Sequence, residues 1–238
     1  MGGDVTVVTA ITDGYDTLKE PAPDALSKRC RYVCFTDGPA GDNGAWSMVK
    51  FPHCLDELGP VRKVRYVKTH LWELLPGCKF RFWVDGTITV ASDLSLLVDK
   101  VAEPGKYLYP MRHWGWDCLY EEARQMKRRH PEKCAKVDEQ IAHYREIGVP
   151  EHLGYMAENN VRLETDSEYV SLFMLKWWRE IEEWSARDQI SFPYVLWRND
   201  PGQAGVKWLP ANLYHSKWLS ITKYGRHASG KRVKENWK

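Results

Sequence analysis

The six cysteines form no Cys-x-x-Cys pair, and no His/Cys cluster carries zinc spacing. Zinc ribbons and thioredoxin-type redox motifs are therefore excluded. Cys30, Cys34, Cys54, Cys78, Cys118 and Cys134 mostly neighbour apolar residues and read as reduced thiols of a cytosolic chain. No apolar run approaches the ~18 residues of a membrane span, and no signal peptide opens the sequence. The expectation is a soluble, cytoplasmic protein without a membrane span. An excess of charge is missing too: 34 Lys and Arg face 32 Asp and Glu, a net of +2. Nucleic-acid binding by bulk charge alone is excluded, although basic residues gather in a tail over 217–238. Neither repeats nor low-complexity linkers interrupt the 238 residues, so one domain with an ample core is expected. Tryptophan, by contrast, is abundant, with twelve residues. Such rings pack cores or offer flat, low-entropy surfaces to sugars and bases, and composition does not choose between the two.

Three short β-branched or aromatic runs, 4–11, 31–37 and 46–51, read as strands that end in turn chemistry. The spacing of Val61, Val64, Val67, Leu71 and Leu74 predicts a helix from Pro60 to Pro76-Gly77. Arg62, Arg65 and Lys68 share another face of it, which is either solvated or turned to phosphate. A strand over 79–84 delivers Asp85, and a helix capped by Ser92 or Asp93 follows. Further along come a strand over 107–110 and a polar helical stretch over 117–147 broken at Pro131. A helix over 168–184, another stopped near Pro193 and a late strand over 205–210 complete the reading. Strands and helices alternate through the first hundred residues, which predicts an α/β class with a Rossmann-type central sheet flanked by helices. Ligands of open α/β sheets bind outside the carboxyl ends of the strands. The segments Thr9–Asp16 and Thr36-Asp37, and Asp85, all fall at such ends, so three segments converge on one rim. A carboxylate placed there needs a partner, which a ligand hydroxyl or a metal would supply.

The stretches "VVTAITDGYDTLKEP", "YVCFTD", "KTHLWELLPGCKFRFWVDG", "LYEEARQMKRR" and "ARDQISFPYV", in this order over about 5–198, resemble a plant mucilage-related glycosyltransferase-like domain family with bacterial and viral relatives. The chain is similar to a bacterial or viral member. The resemblance implies a GT-A type fold, a nucleotide-sugar donor such as a UDP-sugar, and a divalent cation, Mn²⁺ or Mg²⁺, held by oxygen ligands. Where GT-A enzymes carry Asp-x-Asp, this chain has Asp85-Gly86-Thr87, so the second carboxylate is missing. Either Asp85 holds the ion with a later residue, for which His215 and His227 are candidates, or Arg65, Lys68 and the basic tail neutralise the diphosphate. The tail would then close over the donor.

The resemblance further implies that Thr9, Ala10, Ile11 and Asp37 bind the nucleoside end, that Tyr15 stacks on the base, and that Asp85 and Gly86 contact the donor. Asp188 is the candidate general base, with Gln189 facing the sugar; Asp188 also fits a helix N-cap. His113, Tyr120, Glu121 and Glu158 are assigned to the acceptor side. Tyr120, Glu121 and Glu122 form a "YEE" element that would equally suit a solvated first helical turn. The segment "MAENNVRLETDSE" departs from the plant pattern. The implied activity is glycosyl transfer to a hydroxyl of a glycan or cell-surface polysaccharide. A modified base in viral DNA is the alternative acceptor. A hydrolase on the same site and a sugar- or nucleotide-binding module without turnover are the competing classes.

Overall fold

A computed structural model describes residues 4–131, 134–214 and 216–221. The chain opens with β1 (Val5–Ile11), β2 (Cys30–Thr36), the short β3 (Gly41–Asn43) and β4 (Trp46–Lys50), followed by α1 (Pro60–Thr69) and α2 (Leu71–Leu74). Next come β5 (Phe80–Val84), β6 (Ile88–Val90), α3 (Leu94–Val101), β7 (Leu108–Arg112), α4 (Leu119–Arg129) and α5 (Ala135–Glu146). The last elements are β8 (Ala157–Thr165), α6 (Glu168–Glu183), α7 (Asp188–Asn199) and β9 (Leu219–Ile221).

Seven of the strands make one sheet in the order β3-β4-β2-β1-β5-β8-β7, while β6 pairs with β9. The pairs β4-β2, β2-β1 and β1-β5 are parallel; β8 runs against β5, and β7 against β8. The result is the mixed α/β architecture, with a mostly parallel sheet between helices, that the sequence predicts. Apolar side chains of β1 alternate between the two faces. Val5 and Val7 join the cluster that covers α3, and Val8 and Ala10 join the one beneath α1. This two-sided burial is why β1 reads as a continuous apolar run.

Four sequence expectations change. The helix predicted from Pro60 to Gly77 divides at His70, whose ring lies flat on Tyr66 (3.8 Å, 3°) and whose Nδ1 stands 3.0 Å from the Tyr66 carbonyl. Val61, assigned to its apolar face, is 58% exposed. The helix begun at Asp188 does not stop at Pro193 but runs to Asn199. Proline removes one internal donor, the one that would reach the Gln189 carbonyl, while the first turn is anchored from outside: the Asp188 carbonyl accepts from Asn159 Nδ2 at 3.0 Å and Trp177 Nε1 at 3.3 Å. The expected strand at 205–210 is a ribbon bridged to the free edge of β7 through Val206 and Leu209 rather than a full strand.

The fourth change is β8, which the polar segment 157–165 did not suggest. Its alternation places Arg162 and Glu164, both fully buried, on one face. Their ion pair (3.0 Å) and the stacking of Arg162 over Trp177 (5.2 Å) make a charged strand tolerable inside the protein. Arg162→Leu is expected to strand Glu164 without its partner and to cost about 3–5 kcal/mol. Chemical denaturation at neutral pH would measure it, and a loss below about 1 kcal/mol would contradict this account of the strand.

Candidate functional site

Because β1, β2, β5 and β7 point the same way, their carboxyl ends share one rim, which the start of β8 and the first turn of α7 join. Asp85 follows β5 directly. Its amide donates to the Asn160 carbonyl (2.9 Å), fixing the strand end against β8. Its Oδ1 accepts from Trp83 Nε1 at 2.6 Å and from Lys68 Nζ at 3.2 Å. Lys68 comes from the last full turn of α1 and is 1% exposed. Its Nζ also meets Asp188 Oδ2 at 2.8 Å, so a single buried ammonium bridges the two carboxylates.

Asp188 occupies the first position of α7 and is 2% exposed. Arg65 Nη1 stands 3.3 Å from the same Oδ2. Burial alone would push this carboxyl up, but Arg65 and Lys68, with Arg187 nearby, together hold it well below the usual carboxylate range. Burial likewise draws the Lys68 pKa down against the opposing pull of Asp188 and Asp85. The side chain of Asp188 caps no helix; Arg187 occupies the N-cap position, and its guanidinium pairs with Glu122 Oε1 at 2.5 Å. Gln189 is buried beside Asp188.

The β1 and β2 ends build a second part of the rim. Asp37 Oδ2 accepts from the Thr12 hydroxyl and the Asp13 amide, each at 2.7 Å. These two donors outweigh the effect of burial and lower the Asp37 pKa. The turn needs left-handed backbone at Asp13 (φ 56°) and Gly14 (φ 58°). It ends in Tyr15, which is 53% exposed. Gly86 lies under this loop: a Cβ there would come within 3.1 Å of the Asp16 carboxylate and 3.4 Å of Ile11. Thr9 and Ala10 are buried within β1, and the Thr9 hydroxyl has no hydrogen-bond partner.

A third part is formed by β7 and β8. His113 Nε2 lies 3.2 Å from Glu158 Oε2, without the alignment of a hydrogen bond. Burial, and then the charge of Glu122, push the Glu158 carboxyl up to about 7. Burial draws His113 down. Buried atoms without hydrogen-bond partners gather in this part of the fold: Glu158 Oε2, Asn159 Oδ1, Asn160 Oδ1 and the Tyr214 hydroxyl. Native interiors rarely leave such groups unpaired unless something else satisfies them.

Of the residues named from sequence, Asp85, Arg65, Lys68 and Asp188 meet in one ion cluster, and His113 and Glu158 in another. Arg65 and Lys68 are neither a solvated stripe nor unengaged cations; both are held on carboxylates, and Arg62 is spent on the Ile181, Glu182 and Trp184 carbonyls at the C-terminal end of α6. Tyr120 and Glu121 are engaged elsewhere. The Tyr120 hydroxyl donates to the Val149 carbonyl (2.8 Å), and Glu121 binds Arg124 and Gln125 of its own helix. Glu122, read as equally at home in solvent, is 2% exposed and is the member of that triplet tied to Arg187. His215, His227 and the tail from 222 lie outside the described residues. Sequence reading gave no individual role to Thr12, Trp83, Asn159, Asn160 or Tyr214. Only the flanking "TDG" and "WVDG" offered a signal for the first two.

Among the described residues, no group of three or more His, Cys, Asp or Glu could hold a metal ion, and no helix is long and apolar enough to cross a membrane. The chain is 23% identical over 216 residues to a probable hexosyltransferase, MUCI70, of Arabidopsis thaliana, covering 80% of this chain but only 37% of that protein. In structure it is similar to core-mannan synthase A from Aspergillus fumigatus in its Mn/GDP form (TM-score 0.49, 9% identity, 87% of this chain and 72% of that one). The galactosyltransferase LgtC with donor and acceptor sugar analogues gives a TM-score of 0.49 at 14% identity, over 95% and 83% of the two chains. Mouse xyloside xylosyltransferase 1 gives 0.46 at 10% identity, over 85% and 84%. The family model of the TOD1/MUCI70 glycosyltransferase-like domain matches residues 2–214, and the chain belongs to that family.

Proposed function

We propose that the protein transfers a sugar from a nucleotide-sugar donor to a hydroxyl of a glycan. The observation that carries this reading is the Asp85–Lys68–Asp188 bridge, set on the same rim as the Thr12–Asp37 turn. Asp37 and the turn 12–15 receive the nucleoside, with the exposed Tyr15 as the stacking face for the base. Asp85 and Gly86 mark where the donor sugar and diphosphate meet. Lys68 orients Asp85 and, with Arg65, keeps Asp188 ionised and oriented, and Gln189 lies beside them toward the sugar.

Electrostatics bear on the cation question. Lys68, Arg65 and Arg187 are three positive groups; Asp85, Asp188, Glu122 and Glu158 are four acidic ones. Within this cluster a diphosphate finds no surplus positive charge. Mg²⁺ or Mn²⁺ commonly binds through one or two carboxylates together with substrate phosphates. Asp85 suits that arrangement, and such an ion would offset the charge building on the leaving diphosphate. The lysines and arginines of 222–238 are the other source of positive charge.

The test is a thermal-shift panel of nucleotide sugars and free nucleotides, each with Mn²⁺ and with EDTA. Saturation at a hundred times Kd would stabilise the native state by about 2.7 kcal/mol. One donor is expected to raise Tm in Mn²⁺ and to lose most of that effect in EDTA, and Asp85→Ala is expected to abolish the shift. A shift equal in both buffers would move the neutralising role to protein cations. Silence across the panel would defeat the nucleotide-sugar reading.

A further inference from the structure

Resting on that reading, we propose that the ledge formed by residues 113–117 and the start of β8 is the acceptor subsite. Trp114 is the floor for a neutral sugar ring, and Glu158 is the group that takes the proton of the acceptor hydroxyl.

The ledge begins where β7 ends, at the rim that also carries Asp85. Trp114 is 59% exposed, and its ring lies nearly parallel to that of His113 (17°, centroids 6.2 Å apart). His113 is buried, and its tautomer is fixed by its neighbours. Its Nδ1 accepts the amide hydrogens of Gly115 and Trp116, each at 3.1 Å, so the neutral ring carries its proton on Nε2. That nitrogen faces Glu158 Oε2 at 3.2 Å. The Glu158 side chain keeps 18% of its surface exposed while Oε2 is buried. The carboxylate therefore stands at the boundary between interior and rim, with the His113 ring beside its buried edge.

The groups around it suit proton acceptance. Glu122 of α4, Asp188 of α7, Asp85 after β5 and the buried Tyr214 all disfavour a charge on Glu158 or sit near it, while Arg187 favours one and the Asn160 amide donates to Oε1 at 3.4 Å. With burial these place the carboxyl at about 7, near the pH at which a general base is most useful. Asp188 is the opposite case. It is locked onto Lys68 and Arg65 with its pKa depressed, and so is a weak base. In the step itself the acceptor O–H bond breaks and its proton passes to Glu158. The acceptor oxygen bonds the anomeric carbon, and the C–O bond to the diphosphate breaks with its electron pair leaving on the nucleotide. The surrounding carboxylates would repel a phosphate backbone, so a neutral polyol fits this ledge and a nucleic acid does not.

The experiment uses the full chain, the donor found in the thermal panel, and a set of neutral methyl glycosides and short oligosaccharides as acceptors. E158Q, which keeps the shape of the side chain, is expected to lower kcat by roughly 10²–10⁴-fold. It should also flatten the rise of kcat/KM through about pH 7, since the base acts only when ionised. W114A is expected to raise the acceptor KM by about tenfold or more while the donor KM holds within about twofold, a loss equivalent to one stacking contact. A kcat for E158Q within about threefold of wild type, or an unmoved acceptor KM in W114A, overturns the assignment. If E158Q fails to fold, the wild-type profile decides, and a flat acidic side removes Glu158 as the base. Wild-type protein that turns over no donor would sink the transferase reading itself, an outcome distinct from active wild type with unaffected variants.

Discussion

Lys68→Met is expected to destabilise the fold by about 3–5 kcal/mol at neutral pH and to abolish donor binding. Methionine fills much the same volume, so the loss is electrostatic. Lys68 is the cation between Asp85 Oδ1 and Asp188 Oδ2, and without it two carboxylates share a site that Arg65 serves from one side only. The sign of the pH dependence follows from Asp188. Its folded pKa is depressed below the unfolded value of about 3.9. The pair therefore contributes in full above that pH, and the contribution fades as acid protonates the carboxylate. The gap between wild type and Lys68→Met should thus be widest near pH 7 and narrow below about pH 4. Guanidinium melts across that range would show it, and a gap that stays constant would mean the loss is one of packing. Adding Asp188→Leu to Lys68→Met should restore part of the stability but none of the binding, since exchanging both partners of a buried pair removes the unpaired charge.

The second large effect is expected from Asp188→Asn. Transfer should fall by roughly 10²–10³-fold while donor affinity changes little. Asparagine retains the shape and the first turn of α7, whose Asp188 carbonyl is held by Asn159 and Trp177. What disappears is the negative charge that positions Lys68 and Arg65. Single-turnover rates and calorimetric donor titration separate the two quantities. Equal loss of both would make Asp188 a donor ligand, and normal turnover would remove it from the reaction.

Much of the fold could be read in advance wherever one physical signal dominated. The strands β1, β2 and β5 are apolar on both faces and end in Asp or Thr, so both their burial and their rim positions were evident. The convergence of Asp37 and Asp85 on one rim followed from that. β8 was hidden because its interior face carries Arg162 and Glu164, which look solvent-facing until each is seen to neutralise the other. Lys68 and Arg65 were recognised as cations sharing one helix face, but their true partner, Asp188, lies some 120 residues away and no local rule links them. The exposure of Tyr15 and Trp114 depends on loop geometry, which spacing does not encode. Nor could spacing tell Glu122, bound inside the protein, from Glu121 one position earlier on the outer side of the same helix.

The two margins of the sheet carry a consequence for solubility. On one side the ribbon at 205–209 takes up β7's outer hydrogen-bonding groups: the Leu108 and Arg112 amides donate to the Gly205 and Leu209 carbonyls, and the Lys207 and Leu209 amides donate to the Leu108 and Pro110 carbonyls. On the other, β3 is three residues long, exposed, and made of Gly41, Asp42 and Asn43. Neither margin offers a long apolar template to another chain. A protein rich in tryptophan and built on an apolar sheet thus carries its own stops at both ends of the ladder. Trimming the ribbon or lengthening β3 with valines is where insolubility would first emerge.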